Sequence, residues 1–437
     1  MVSRSSNRYL RIAALAAALL AFMAVGAAPA EATSTSQCLP VVSSGGLTTL
    51  VVLANRTMVG FGANDYGYLG NGNVAASNQP LPAYAHLAGV ASVAGMQETS
   101  TVLRADGSVL TAGYNGDGEL GNNSNYLEST APVYAHIDHV IRISGGSSHE
   151  LALRSDGTVY GWGYNASGQV GVPLNGSTVY SGSKAVVPQP TQVSGPNGSG
   201  KLGDAVAIAA GGQHSLALAT DGTVWAWGDN YWGQLGTGTL FSQNPNPSPV
   251  KVLGPNGVGV LNGVVGIAAA SGSSYALRND GTVWAWGNND YGELGDGTKT
   301  TRAFPAQVVG TGGAGYLTNV RMLAAGGNHV LALLGDGSVV AWGEDYGGSL
   351  GNGQMGDANN NYDNPIPAPV LSSSGTGSLS AIAEVDAGGS SSFAVGTDGT
   401  LWAWGDDNYG ELGDGTNTNK AIPVRSLAGP VAMPATC

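Results

Sequence analysis

The residues best suited to chemistry are six histidines, His86, His136, His139, His149, His214 and His329. An imidazole can ligate a metal or move a proton near neutral pH. His149, His214 and His329 occupy one place in a recurring pattern, where other copies carry Thr48, Thr99, Ser273 and Ser391. A ligand or general base is not interchangeable with a hydroxyl, whereas a hydrogen-bonding group is. These histidines therefore read as structural. The stretch Asp357, Asn359, Asn361, Asp363 places oxygen side chains at alternate positions, as a calcium loop does. Tyr362 stands where such a loop needs Gly, and Ala368 where it needs a bidentate Glu, so a solvated loop is expected. No nucleophile elbow, phosphate loop, zinc-protease helix or paired-carboxylate motif occurs. A non-catalytic chain without cofactor or metal is the expectation.

A third group of side chains suits recognition. Tyr66, Tyr231, Trp232, Tyr291, Tyr346 and Tyr409 lie a few residues after a recurring glycine, flanked by Asp117, Glu119, Glu293 and Glu411. Aromatics gathered on one surface suit protein binding. Local packing over a glycine-rich turn is the competing reading. The other eight of nine tryptophans sit in short strand-like runs, at Trp162, Trp225, Trp227, Trp284, Trp286, Trp342, Trp402 and Trp404. Phe61, Tyr160, Val59 and Val340 take equivalent places, which marks packing.

The elements that position these residues repeat. DGTVWAWGDNYWGQLGTG begins at Asp221, and copies begin at Asn55, Asp106, Asp156, Asp280, Asp336 and Asp398. The glycine ending the WAWG-type run recurs at Gly62, Gly113, Gly163, Gly228, Gly287, Gly343 and Gly405. Each unit reads as a strand such as Ala209 to Leu218, a two-residue Asp-Gly hairpin, and an alternating second strand. A glycine-rich turn follows, then a Pro-containing outer strand. An Asx residue two places after the recurring glycine (Asn64, Asn115, Asn165, Asn230, Asn289, Asp345, Asp407) fits a side-chain-to-backbone turn. Each unit amounts to about four short antiparallel strands. One such unit cannot bury its faces, but seven in a ring can.

The units GGxHSLAL, DGTVWAWG and NxxGQLGxG resemble repeats of the regulator of chromosome condensation family, over about residues 40 to 430. The resemblance implies an all-β, seven-bladed β-propeller of four-stranded antiparallel blades. Residues 38–437 then form one domain. The first repeat starts abruptly at Val41, with no outer stretch before it, and the chain stops where an eighth repeat would begin, at Val431. Strands from the two ends are expected to complete one blade and close the ring.

The ends also carry the localisation signals. Arg4, Arg8 and Arg11 precede an apolar run from Ile12 to Val25, then small-residue sites at Ala28-Pro29-Ala30 and Ala30-Glu31-Ala32. Residues 1–32 read as a secretory signal peptide. The run is too short for a membrane-spanning helix, which needs ~20 residues. Removing residues 1–32 takes away three of 16 basic residues and one of 29 acidic ones, leaving 13 against 28, a net of −15. Such a surface disfavours nucleic acid. Cys38 and Cys437 are the only cysteines and are expected to pair, as two Cys in an exported chain do. The 71 glycines and 10% charged residues suit strands and tight turns rather than helices.

The expectation is a secreted, periplasmic or cell-surface monomeric module, a bacterial member of the family, that binds an unknown protein partner without catalysis. One alternative is a secreted enzyme inhibitor resembling the propeller-type β-lactamase inhibitory protein. Another, by family analogy, is guanine-nucleotide exchange.

Overall fold

A computed structural model of the chain describes residues 39–74, 78–85, 87–124, 126–174, 179–181, 184–357 and 362–434. The leader, Cys38, Cys437, Asn359 and Asn361 lie outside the described residues. So does the proposed disulfide.

The repeats fold into seven antiparallel sheets, the blades of a propeller. Blade 1 is Val42–Ser44, Thr48–Val52, Met58–Gly62 and Gln79–Tyr84. Blade 2 is Val90–Gly95, Thr99–Arg104, Val109–Tyr114 and Glu128–Tyr134. Blade 3 is Val140–Gly145, His149–Arg154, Val159–Tyr164 and Lys184–Gln192, with a fifth strand, Val179–Ser181, outside them. Blade 4 is Ala205–Ala210, His214–Ala219, Val224–Asn230 and Ser242–Lys251. Blade 5 is Val264–Ala269, Ser273–Arg278, Val283–Gly287 and Arg302–Gln307. Blade 6 is Val320–Ala325, His329–Leu334, Val339–Gly343 and Asn364–Pro369. Blade 7 is Ile382–Gly388, Ser391–Gly396, Leu401–Gly405 and Lys420–Arg425. The proline-bearing strand is the outermost in six blades, where a missing N–H costs no ladder bond, and in blade 3 Pro188 and Pro190 lie beyond the stretch that pairs with Val179–Ser181.

Three details depart from the sequence reading. Ala209 to Leu218 is not one strand. It breaks at Gly211-Gly212, where a Cβ on Gly211 would lie 2.5 Å from the Ala270 carbonyl oxygen of the next blade. The Asp-Gly hairpin has a three-residue loop rather than two. In blade 3 Leu153 pairs Val159, the Arg154 N–H donates to the Thr158 carbonyl, and Gly157 takes φ +79°. A type I turn followed by a left-handed glycine makes this loop. Finally, every blade is built from contiguous chain. The ends do meet at the seam between blades 7 and 1, but through a single bridge between Leu53 and Val431. The Ala432 N–H donates to the Val52 carbonyl, and Ala428, Val431 and Ala432 share a core with Val41, Leu50, Phe61 and Leu401. The N-terminal segment already supplies the innermost strand, so no strand is left for the C-terminus to add.

The uneven repeat lengths have a structural source. The connection from outer strand to next blade is five residues in blades 1 and 2 (85–89 and 135–139). In blades 3 to 6 it is twelve residues (193–204, 252–263, 308–319 and 370–381). Each longer one folds on itself through a bridge, such as Ser194 with Lys201 or Val309 with Tyr316.

Blades are joined by a repeated acceptor. The turn after the third strand has the form Gly-x-Leu/Val-Gly, and the carbonyl of x accepts the indole N–H of the next blade. The pairs are Trp162 with Glu119, Trp227 with Gln169, Trp286 with Gln234, Trp342 with Glu293 and Trp404 with Ser349, at 2.8–2.9 Å. All five indoles are fully buried. The glycine after the Leu must lack a side chain: at Gly295, φ +64°, a Cβ would sit 2.7 Å from the Trp342 Nε1. Blade 1 presents Phe61 to Gly413 instead, and blade 2 fills the space at Gly70 with Ala112 and Pro132.

Two substitutions separate volume from hydrogen bonding here. Trp227→Phe removes the bond to Gln169 and leaves the Ser215 hydroxyl on that carbonyl. A loss of about 1 kcal/mol is expected. Trp227→Ala is expected to cost about 3–5 kcal/mol. Urea denaturation of both variants checks the order; equal losses would mean that the indole N–H contributes nothing.

Candidate interaction face

The strands fix two faces. The turns joining inner to second strands and those joining third to outer strands share one end of the ring, the turn face. The Asp-Gly hairpins lie at the other end. There Asp156 Oδ1 accepts the Thr158 N–H and hydroxyl. That hydroxyl bond, first among the causes, holds the exposed Asp156 carboxyl below its usual range.

On the turn face the Asx residue shapes each turn. Its side-chain oxygen accepts the N–H five residues on, from Asn64 to Leu69 through Asp407 to Leu412, at 2.9–3.0 Å in all seven blades. A second brace comes from residue x. Glu119, Gln169, Gln234, Glu293 and Glu411 each fold back to accept the N–H two residues earlier, at 2.8–3.0 Å. That N–H belongs to Asp117, Ser167, Trp232, Tyr291 and Tyr409. A doubly braced turn thus presents one side chain per blade at a fixed place. It also buries carboxyls: burial pushes Glu293 up to about 7 and Glu411 up to about 8.

The three interface histidines lie beneath these turns. His149, His214 and His329 bond through Nε2 to Ser215, Ser274 and Ser392 of the following blade, at 2.8–2.9 Å. Each serine hydroxyl then donates to the carbonyl of residue x that also takes the indole. Burial lowers His149 to about 3 and the other two to about 4. They are neutral braces.

The predicted aromatics fall into two groups. Tyr66, Tyr346 and Tyr409 are exposed, at 38–39%. Tyr231, Trp232 and Tyr291 are half-buried. Tyr66 packs edge-on to Tyr114, with ring centres 5.4 Å apart. Tyr231 packs on Trp232 at 4.8 Å and on Phe241 at 5.4 Å. Trp232 extends over the turn of blade 5, against Gly272. Local packing over the turns therefore involves exposed Tyr66 as well as half-buried Tyr231 and Trp232.

Sequence reasoning missed Leu240 and Phe241. They follow the repeat in a loop of unique sequence, where no spacing marks them. Phe241 is 60% exposed and holds φ +57°, its N–H donating to the Tyr231 carbonyl at 2.7 Å. Asp363 of the calcium-like stretch pairs with Lys299 at 2.9 Å. Among the described residues no group of three or more His, Cys, Asp or Glu is placed to hold a metal. No helix among them is long and apolar enough to cross a membrane.

The family model for the RCC1-like domain matches residues 23–315 and 182–434. The chain belongs to the RCC1-like domain family. This RCC1-like chain is 31% identical to the ultraviolet-B receptor UVR8 of Arabidopsis thaliana, over 50% of this chain and 45% of the receptor. It is 31% identical to the human E3 ubiquitin-protein ligase HERC2, over 58% of this chain and 5% of the ligase. The RCC1-like chain thus spans less than half the length of these curated relatives. Both are eukaryotic, and a bacterial origin draws no support from them. Among solved structures, Prp20p of Saccharomyces cerevisiae superposes with TM-score 0.65 at 22% identity, covering 84% of each chain. Human WBSCR16 gives TM-score 0.65 at 26% identity, covering 80% of this chain and 85% of its own. The RCC1-like β-propeller is an interaction module.

The buried carboxyls of this propeller set a pH dependence. Burial also raises Glu384 to about 8 at the seam, where its Oε1 accepts the Val41 N–H. A carboxyl whose folded pKa lies above its unfolded value stabilises fully below the unfolded value, and that stability is lost as pH rises through the folded one. The fold is therefore expected to lose stability between pH 5 and pH 8 through Glu384 and Glu411. The histidines act oppositely, their stability being lost as pH falls from about 6.5 toward 4. Guanidinium melts of a Glu384→Gln, Glu411→Gln double variant are expected to show a smaller loss from pH 5 to pH 8 than the wild type.

Proposed function

We propose that the turn face is an exported protein-recognition surface whose energetic centre is the blade 4 cluster of Tyr231, Trp232, Leu240 and Phe241. Phe241 carries this reading. A bulky residue at positive φ is strained, and such strain gathers at functional sites. Here the strained ring is mostly in water beside the 38%-exposed Leu240. The N–H bond and the edge-on contact to Tyr231 hold Phe241 in place but leave most of its ring in water, where a partner would cover it. Large, stiff aromatics in contact with one another are what protein interfaces use as anchors. The remaining exposed tyrosines, Tyr66, Tyr346 and Tyr409, extend the surface around the ring. The basic start, apolar run and small-residue sites of residues 1–32 support export. An inhibitor is a special case of this reading, in which the partner is an enzyme. Nucleotide exchange rests on family membership alone.

Photo-crosslinking tests the face. A photoreactive phenylalanine at position 241 is expected to capture a protein from the organism's extracellular fraction. The same residue at Asp156, on the hairpin face, should not. The capture should fall at least tenfold when Trp232→Ala is added. Capture from position 156 and not from position 241 would place the recognition surface on the wrong face.

A further inference from the structure

The hairpin of blade 1 departs from its six counterparts at two adjacent positions. Those six read Asp-Gly-Thr or Asp-Gly-Ser, beginning at Asp106, Asp156, Asp221, Asp280, Asp336 and Asp398. The form is structural. The carboxylate accepts the N–H two residues on, at 2.9–3.0 Å. It also accepts that residue's hydroxyl, as Asp221 does from Thr223 at 2.6 Å. The glycine between holds φ +76° to +82°. Blade 1 reads Asn55-Arg56-Thr57 instead. Asn55 Oδ1 accepts the Thr57 N–H at 3.0 Å and the Thr57 hydroxyl at 2.6 Å, so the bracing is kept. One carboxylate oxygen has become an amide nitrogen, and the glycine has become an arginine at φ +61°.

Neither change serves the fold. The amide oxygen accepts the same two bonds as the carboxylate, and the Asn55 Nδ2 meets no acceptor among the described residues. An arginine at left-handed φ is strained where glycine is free. No ion pair of Arg56 among the described residues offsets that strain. Together the changes write Asn-x-Thr, the acceptor sequence for N-linked glycans, at an exposed loop tip. The hairpin is one atom from that sequence in every blade, because its bracing already demands Ser or Thr two residues after the acid. The arginine has a chemical consequence for the amide. In Asn-Gly the unhindered glycine nitrogen attacks the side-chain carbonyl carbon, expels ammonia and closes a succinimide. A side chain at the second position obstructs that attack. Arg56 therefore preserves the one nitrogen that distinguishes Asn55 from the aspartates of the other blades.

We infer that Asn55 is the acceptor of an N-linked glycan. The inference rests on the export reading and goes beyond the recognition face. The Asn55 Nδ2 forms a bond to the anomeric carbon of a sugar carried on a lipid pyrophosphate. The pyrophosphate leaves with the electron pair of the C–O bond, and the displaced amide proton passes to a base of the transferring enzyme. Four further Asn-x-Ser sequences occur, at Asn122, Asn165, Asn175 and Asn197. Asn165 is wholly buried and braces the blade 3 turn through the Val170 N–H, so a glycan there would prevent folding. Asn122 is half-buried, and the Ser124 hydroxyl oxygen is taken by the Tyr126 N–H. Asn197 is followed by glycine, which leaves its amide unprotected. Asn175 lies outside the described residues. Asn55 is on the hairpin face, so a glycan there leaves the turn face open to a partner.

The test uses the full chain made by its own organism. Peptides containing Asn55 are weighed before and after peptide N-glycosidase in heavy-oxygen water, which leaves a labelled aspartate wherever a glycan stood. Label at Asn55 is expected in at least tenfold excess over Asn165 and over a digest without the glycosidase. Asn55→Asp, which restores the repeat, should abolish the label while the melting temperature of the glycosidase-treated proteins stays the same. Thr57→Ala should abolish it too, and Thr57→Ser should retain it. Unlabelled Asn55 in protein whose leader has been cleaved would overturn the proposal and leave export standing. Unlabelled Asn55 in protein with an intact leader would overturn both. Equal label with and without the glycosidase would mean deamidation, and would overturn the proposal.

Discussion

One backbone carbonyl per turn, that of residue x in Gly-x-Leu-Gly, organises the interfaces between blades. In blades 3, 4 and 6 it is part of one unit: the next blade's indole N–H and serine hydroxyl donate to it, and a histidine of its own blade holds that serine. A carbonyl buried without donors would cost about 1–3 kcal/mol. Meeting that demand from the neighbouring blade ties turn geometry to ring geometry. The same residue braces the N–H of the displayed side chain in five blades. Stability and surface display therefore share one structural device. A change in residue x is felt both in the interface below and in the collar above.

Exceptions to this device sort by whether they are compensated. Blade 6 has Val330 where blades 4, 5 and 7 have serine. The Glu293 carbonyl then takes the Tyr275 hydroxyl from its own blade at 3.0 Å, in addition to Trp342. The donor has moved, and the acceptor is still met. Blade 1 replaces the indole by Phe61, and its seam with blade 7 relies on carboxyls instead. Glu384 and Asp386 accept the N–H groups of Val41 and Ser44. Burial raises both carboxyls, Asp386 to about 7. At this seam burial favours the protonated carboxyls, while the N–H bonds that they accept favour the ionised form.

The architecture was legible because its demands are local and repeated. Glycine at left-handed φ, the Asx brace and the alternating Trp strand each carry a residue-type requirement that recurs at near-constant spacing. Ring closure was only partly legible. The sequence marks where repeats begin and end, but not that Val42–Ser44 already completes blade 1. The hairpin loop was read one residue short, because Asp-Gly is common to two loop classes that differ in flanking register. The tyrosines and Trp232 were found by position in the repeat, whereas Leu240 and Phe241, which lie in unrepeated loop, were not.

A repeated ring is nearly uniform by construction, and uniformity cannot select a partner. Specificity must come from positions where the repeat is broken and the break is not repaired. Blade 4 breaks it by adding a strained, exposed Phe241 to the turn. The interface of blades 2 and 3 exchanges His for Thr99 and Ser for Glu150, whose Oε2 accepts the Thr101 hydroxyl of blade 2. At the interface of blades 5 and 6, by contrast, the Tyr275 hydroxyl takes over the Glu293 carbonyl that the serine would have met, so that acceptor is repaired. This criterion separates two kinds of irregularity that look alike in a repeat alignment. It weighs the free energy of each unmet group rather than its rarity, and on this face it selects the strained apolar anchor of blade 4.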